Sequence, residues 1–221
     1  MDNLAIPTLE TERLRLRAFR KSDLDDYAAL NSDPEVLRYL GGGPEPWDRG
    51  RSWRHLAFLL GHWQLGGCGM WALEHKETGE LLGMTGFAEP AGWPDCELAW
   101  TLARRFWGHG YATEGARAAL CYAFTVLKKD RVVSLIHPEN RASVRVAERI
   151  GETLQGRIRH LGREMLCFGV DQEGYGAGLC APGLRSKSSP KGERTPVEQL
   201  AAGGSPPCRR LATAPAPTQR L

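Results

Sequence analysis

Nothing in this sequence approaches the run of roughly 18 apolar residues that reads as a membrane span. Its start, Met1-Asp2-Asn3-Leu4, shows no basic segment leading into an apolar one. These absences give the expectation of a cytoplasmic protein with no membrane partner. The six cysteines, at 68, 96, 121, 167, 180 and 208, form no Cys-x-x-Cys pair and no His/Cys group at zinc spacing, so no metal is expected and the thiols read as unpaired. No Gly-Lys-Ser/Thr is present to make a Walker loop, and Gly108, Gly110 and Gly115 do not fit a dinucleotide Gly-x-Gly-x-x-Gly. Residues 1–170 also lack net charge, with 22 basic and 22 acidic side chains, which excludes a basic field for specific nucleic-acid binding.

What the chain does have is unevenly spread. All seven Trp lie between Trp47 and Trp107, whereas residues 171–221 contain no Phe or Trp and only one Tyr. That last stretch holds seven of the 14 Pro and seven of the 26 Gly, and its seven basic against four acidic residues carry the whole formal +3. Few large apolar groups there could offset the entropy of ordering the backbone. We therefore expect one domain at 1–170 and a Gly/Pro-rich, basic, disordered tail at 171–221.

Residues 12–19 alternate Arg with apolar residues and predict a strand with Arg13, Arg15 and Arg17 on its wet face. Ser22 can cap a helix, Asp33-Pro34 can start a second, and residues 50–63 predict a third with Trp53, Ala57, Leu60 and His62 or Trp63 turned inward. Three strands follow, at 69–75, 80–88 and from Cys96 to about Ala103. Then come a helix over Ala112–Leu127, a strand at Arg131–Ile136, a helix from Arg141 that Asn140 can cap, and a closing hairpin at 153–160 and 164–170. This order predicts an α/β domain with a mixed sheet and leaves no room for a doubly wound nucleotide fold.

The segment richest in chemistry is the turn Arg105-x-x-Gly108-x-Gly110 between a strand and a long helix. Glycines let the backbone turn tightly there, and the free N–H groups at the helix start favour a phosphate or pyrophosphate, with Arg105 as an added donor. A Gly-x-Gly pair alone is equally at home in a surface turn; the flanking strand and helix make the ligand reading the stronger one.

Residues 97–116, Glu-Leu-Ala-Trp-Thr-Leu-Ala-Arg-Arg-Phe-Trp-Gly-His-Gly-Tyr-Ala-Thr-Glu-Gly-Ala, resemble the acyl-CoA-binding motif of the GNAT superfamily, most closely its ribosomal-protein alanine acetyltransferase branch. Arg131–Ile136 followed by His-Pro-Glu-Asn140, with Ser143 and Glu148-Arg149-Ile150-Gly151, is similar to the family's second signature, and Leu9–Arg17 to its opening strand. The resemblance spans roughly 9–170. It implies a GNAT-like acyl-CoA N-acyltransferase fold with a mixed, mostly antiparallel central sheet, and acetyl-CoA as acyl-donor cosubstrate. It implies that Arg105, Trp107, Gly108, His109, Gly110, Tyr111 and Ala112 meet the CoA pyrophosphate. It also implies that Trp100, Thr101 and Leu102 pair with the pantetheine arm, beside Asn140 and Ser143. Two positions depart from the family: Ala147 stands where many members carry a tyrosine acid, and Glu152 stands where Phe usually follows the glycine.

Amide formation needs a neutral amine, a polarised thioester carbonyl and a proton for the leaving thiolate. The resemblance implies that the strand amide near Leu102 polarises the carbonyl. Glu97 is the first candidate base, through a water, against the plainer reading of a solvated strand carboxylate; Glu89 and Asp95 rank below it. Ser143 can donate to the thiolate or simply belong to a capping turn, and Asn140 can hold substrate while capping its helix. His109 and His137 read first as solvent- or phosphate-facing residues, Glu114 as a packing or surface residue of its helix, and Trp47, Trp53, Trp63 and Trp71 as core residues before cleft walls. The expected partner is a primary amine acceptor, a peptide N-terminus or a small molecule such as an antibiotic or polyamine, met by a monomer or homodimer. A noncatalytic acyl-CoA-binding module is the alternative from another class.

Overall fold

The computed structural model describes residues 5–40 and 45–175. In chain order its strands are β1 (Leu9–Glu10), β2 (Leu14–Arg17), β3 (Met70–His75), β4 (Leu81–Ala88), β5 (Glu97–Leu102), β6 (Arg131–Ile136), β7 (Thr153–His160) and β8 (Arg163–Asp171). The helices are α1 (Leu24–Ser32), α2 (Pro34–Leu37), α3 (Arg49–Gly66), α4 (Tyr111–Thr125) and α5 (Arg141–Arg149). One eight-stranded sheet runs β1-β2-β3-β4-β5-β6-β8-β7, antiparallel at every neighbouring pair except β5–β6, which is parallel. The α/β class and the mixed, mostly antiparallel sheet are thus as the residue pattern predicts. Of the tail expected at 171–221, residues 176–221 lie outside the described residues.

Strand alternation divides the core into two layers. Trp71 and Leu73 of β3 point toward α4, whereas Met70 and Ala72 pack with Leu24 and Tyr27 of α1 and Leu56 and Leu59 of α3. The α4 helix lies close on the sheet because its contact residues are small: Ala116, Ala119 and Ala123 are fully buried. A Cβ at Gly115 would come within 3.0 Å of Leu73. Ile150, the residue that ends α5, joins the same layer.

Three local expectations need correction. The inward face of α3 is Ser52, Leu56, Leu59, His62 and Trp63, while Trp53 is 57% exposed. Trp63 sets that phase by packing edge-on to Trp71 at 4.8 Å and donating Nε1 to the Met70 carbonyl at 2.9 Å. Ser22 does not cap α1; it lies within a short 3-10 turn, Lys21–Asp23, whose Asp23 carboxylate accepts from the Arg20 N–H at 2.7 Å.

The arginine face of β2 is wet only in part: Arg13 and Arg15 stay partly exposed, but Arg17 does not. The Arg17 guanidinium is buried, donating to Glu74 at 2.5 Å and to both Asp23 oxygens at 2.7 and 2.8 Å. Arg13 reaches Glu114 at the start of α4, donating from its backbone N–H at 2.8 Å and from Nε at 2.7 Å. Glu114 therefore ties the glycine turn to β2. Arg17→Ala leaves buried Asp23 without its cation and Glu74 with only Arg15 and Arg20, and is expected to cost about 3–5 kcal/mol, measured by urea denaturation. A loss within about 0.5 kcal/mol, as expected of an ordinary surface position, would mean the network contributes nothing.

The packed body continues past 170. Tyr175 is buried, its ring 5.0 Å from that of Phe124. Three buried cysteines, Cys68, Cys96 and Cys167, are in no disulfide. Cys121 is disulfide-bonded, so the expectation of unpaired thiols fails there.

Candidate active site

The site begins where β5 and β6 part. The two strands share one register pair, Glu97 with Val133, whose N–H donates to the Cys96 carbonyl at 3.0 Å. Beyond it the strands diverge. On its other edge β5 stays zipped to β4 through Leu102, and Ala103 donates to the Leu82 carbonyl at 2.9 Å. Strand parity then turns the backbone groups of Leu98, Trp100 and Leu102 toward the gap. One of these, the Leu102 carbonyl, accepts from Trp107 Nε1 at 2.8 Å.

Two hollows open from this gap and share Trp100, Thr101, Asn140 and Ser143. The larger, of about 470 Å³, lies between the end of β5, the turn at 106–113 and the face of α5. Gly108 and Gly110 stand there at φ +82° and +83°, the left-handed region that disfavours other residues. Gly110 occupies the N-cap of α4 without a side-chain cap, so the first N–H groups of that helix remain as donors. Arg38, Arg141, Arg145 and Arg149 line the same cleft against Glu35 and Glu139, leaving it net positive. A phosphorylated ligand with a long polar arm fits this chemistry: helix N–H groups and arginines at one end, open strand edge at the other.

Of the residues expected to meet CoA, Trp100, Thr101, Leu102, Trp107, Gly108, Gly110, Tyr111, Ala112, Asn140 and Ser143 line this cleft. Arg105 and His109 do not. The Arg105 guanidinium sits over the Phe106 ring at 4.5 Å, and exposed His109 places Nδ1 2.9 Å from the Trp107 carbonyl. Asn140 caps α5, its Oδ1 accepting from the Ser143 N–H at 3.1 Å. Sequence reasoning passed over Arg141, Arg145 and Arg149, although their spacing of four puts them on one helix face.

The smaller hollow, of about 170 Å³, is walled by Tyr39, Trp93, Trp100, His137 and His160, with Arg163 at its edge and Glu97 inside. Trp93 stands edge-on to His160 at 4.4 Å and donates its Nε1 to Glu97. Burial outweighs the opposing pull of the Trp93 donor and the nearby Leu135 backbone and pushes the Glu97 carboxyl up to about 7. Glu89 and Asp95 are engaged elsewhere, Glu89 with Lys129 at 2.5 Å and Asp95 with Arg131 at 3.6 Å, and neither lines a hollow. Trp47, Trp53, Trp63 and Trp71 do not line them either; Trp93, unremarked in the sequence, does.

Both departures from the family pattern acquire a place. Ala147 is fully buried with Ile136 and Phe168, so its Cβ faces the core and not the cleft. Glu152 is 2% exposed, with its Oε1 2.9 Å from Ser134 Oγ. Burial, together with the nearby Glu97 charge, pushes it up to about 8.

A glycine turn feeding a helix, beside a parallel strand pair that splays after one residue, is the arrangement found in acyl-CoA-dependent acyltransferases. The family model described as "Acetyltransferase (GNAT) domain" matches residues 13–153. This chain belongs to that family. The uncharacterised protein YkkB of Bacillus subtilis (strain 168) is 36% identical over 154 residues, covering 68% of this chain and 88% of YkkB. The crystal structure of an acetyltransferase from Agrobacterium tumefaciens str. C58 superposes with TM-score 0.67 at 34% identity, covering 76% of this chain and 95% of that one. A spermidine N-acetyltransferase from Vibrio cholerae, solved with CoA and spermine, gives TM-score 0.62 at 22% identity over 75% of this chain and 99% of that one, a likeness of fold alone. The expected place in the ribosomal-protein alanine branch is not singled out by these matches, whereas an acyl-CoA cosubstrate and acyltransferase chemistry follow from the family itself. No helix among the described residues is long and apolar enough to cross a membrane.

Proposed function

We propose that this protein transfers an acetyl group from acetyl-CoA to the primary amine of a peptide N-terminus in the cytoplasm, by direct attack within a ternary complex. The glycine turn and the arginines of α5 bind the phosphates of CoA, and the free edge of β5 at Trp100 and Leu102 takes the pantetheine arm. The Leu102 N–H polarises the thioester carbonyl. Glu97, directly or through a water, removes the proton from the amine. Ser143, or a water it holds, returns a proton to the thiolate, since position 147 offers neither a hydroxyl nor access to the cleft.

The observation that carries the reading is Glu97 itself. It is the only carboxylate among the described residues lining the smaller hollow, half-buried, with its proton affinity raised toward neutrality. That suits a general base working near pH 7. It also favours one acceptor class over the other. A polyamine presents several ammonium groups that call for several spaced carboxylates. This hollow supplies one, between aromatic walls that suit an amine carried on an apolar body.

The test is an acceptor panel with detection of released CoA thiol, comparing peptides of varied N-terminus with spermidine and an aminoglycoside. Turnover with peptides is expected. Turnover confined to the polyamine or aminoglycoside would overturn the acceptor assignment, and CoA binding with no amine-dependent thiol release would mark a noncatalytic module. Separately, Gly110→Val forces a β-branched residue to φ +83° at the helix start and is expected to weaken CoA binding about 10–100-fold while the domain still folds. Calorimetry with unchanged affinity would remove the turn from the CoA site.

A further inference from the structure

The outer face of α3 is apolar, and the chemistry of the two hollows makes no use of it. From Trp53 to the end of the helix the one Lys, Arg, Asp or Glu is Arg54. A surface helix ordinarily turns charged residues to water. Here Trp53 is 57% exposed, Phe58 51% and Leu65 93%, with Ala57 also exposed. Trp53, Ala57, Gly61 and Leu65 follow one another at a spacing of four, the row of side chains that forms the ridge in the commonest helix–helix packing. That ridge is large at both ends and small at its centre.

Two features of α3 have no explanation within one chain. The first is Gly61. Glycine weakens the middle of a helix and is favoured only where a left-handed backbone or a close neighbour demands it. Gly61 has neither: it is not among the positive-φ residues, and a Cβ there would meet nothing within 4 Å. The second is the placement of charge. Arg49, Arg51 and Arg54 all sit toward the start of the helix, with no acidic residue in its first turn and no basic one in its last. The helix dipole favours the opposite arrangement. Arg49 is paired with Asp25, and Arg51 lies over the Trp47 ring at 4.4 Å. Arg54 makes neither kind of contact among the described residues.

A second α3, laid antiparallel across the first, accounts for both. A two-fold axis between Ala57 and Gly61 sets Trp53 against Leu65 of the partner subunit and Ala57 against Gly61 of the partner subunit, so the two backbones come close at the centre. Arg54 then reaches the last turn of the partner helix, whose carbonyls form the negative end of its dipole. A parallel pair would instead gather six arginines at one end. The chain's own residues 176–221 suit this face less well, because they would bring seven basic side chains against two acidic ones to an arginine-bearing helix.

We propose that the protein is a homodimer built on antiparallel α3 helices, with Trp53 and Leu65 as its anchors and Gly61 at the closest approach. The dimer is independent of the acceptor and of Glu97, since no α3 residue lines either hollow.

Sedimentation of the full chain over a range of protein concentrations tests it, and the parent is expected to sediment as a dimer. Gly61→Gln installs a good helix former that meets no atom of its own chain, so the fold is kept while the new side chain holds the two helices apart. The dissociation constant should rise about 10-fold or more. Trp53→Gln should do the same by removing an anchor, and Arg54→Glu should weaken the dimer by setting an anion beside the partner's helix C-terminus. Circular dichroism and CoA affinity should match the parent in all three variants, which separates a lost contact from a lost fold. A parent that is monomeric at every concentration, or a dimer that survives both Gly61→Gln and Trp53→Gln, overturns the proposal. So does a dimer tightened by Arg54→Glu, which would mean parallel helices. Binding of the parent to phosphatidylcholine–phosphatidylserine vesicles that Trp53→Gln abolishes would also overturn it, by making this face a membrane surface.

Discussion

Glu97→Gln is expected to lower turnover about 10²–10⁴-fold, the usual contribution of a positioned general base, with acetyl-CoA affinity nearly unchanged. The affinity should survive because the phosphate end of the cleft, at Gly108, Gly110 and the arginines of α5, does not include Glu97. The parent's rate should rise with pH through about 7, as the Glu97 carboxyl loses its proton, and level off above. In the Gln variant that acid limb should disappear, since the amide does not titrate, while the Trp93 contact keeps an acceptor oxygen. A Gln variant with the parent's rate and profile would hand the role to water alone, because Glu89 and Asp95 are turned away to Lys129 and Arg131.

Much of the fold was legible because it rests on short-range patterns. The apolar alternation of β3 to β5, the 3.6-residue period of α4 and the Asn140 cap each depend on neighbours within a turn or a hairpin. The misreadings arose where a distant partner decides. Arg17 alternates like a surface residue, yet it is buried because Glu74 of β3 and Asp23 meet it there. The face of α3 was misphased because Trp63 docks on Trp71, and no local signal told Trp53 from Trp63 as the buried one.

The site divided along the same line. The glycine turn and the strand edge lie within one continuous segment, so their spacing could be read. The smaller hollow gathers Tyr39, Trp93, His137 and the hairpin pair His160 and Arg163 from four separate segments, and only the folded sheet brings them to Glu97. Arg105 failed for a different reason. Its charge suggested a ligand, but the 3-10 turn at Arg104–Phe106 lays its guanidinium on the Phe106 ring. Glu152 looked like a lost core aromatic, and it does occupy a core position; what the sequence hid is that Ser134 waits beside it.

Burying a carboxyl there has a cost that depends on pH, and the last expectation measures it. Glu152 moves from an ordinary 4.5 in the unfolded chain to about 8 in the folded one, so between those values the folded state binds more protons. Stability must then fall as pH rises from about 4.5 to 8, and the loss is complete above that window. Glu97 acts with the same sign, its share finished near pH 7. For Glu152 alone the shift sets a ceiling of about 4–5 kcal/mol, at 1.36 kcal/mol per pH unit. Glu152→Gln keeps the shape and a hydrogen-bonding partner for Ser134 but cannot ionise. Whatever constant cost its amide protons bring, the stability of the variant relative to the parent should climb by several kcal/mol between pH 5 and pH 8.5. Urea denaturation at these two pH values measures the difference directly. The same gap at both would mean that Glu152 is ionised at low pH in the folded protein, and both its burial and its hydrogen bond to Ser134 would then need another explanation.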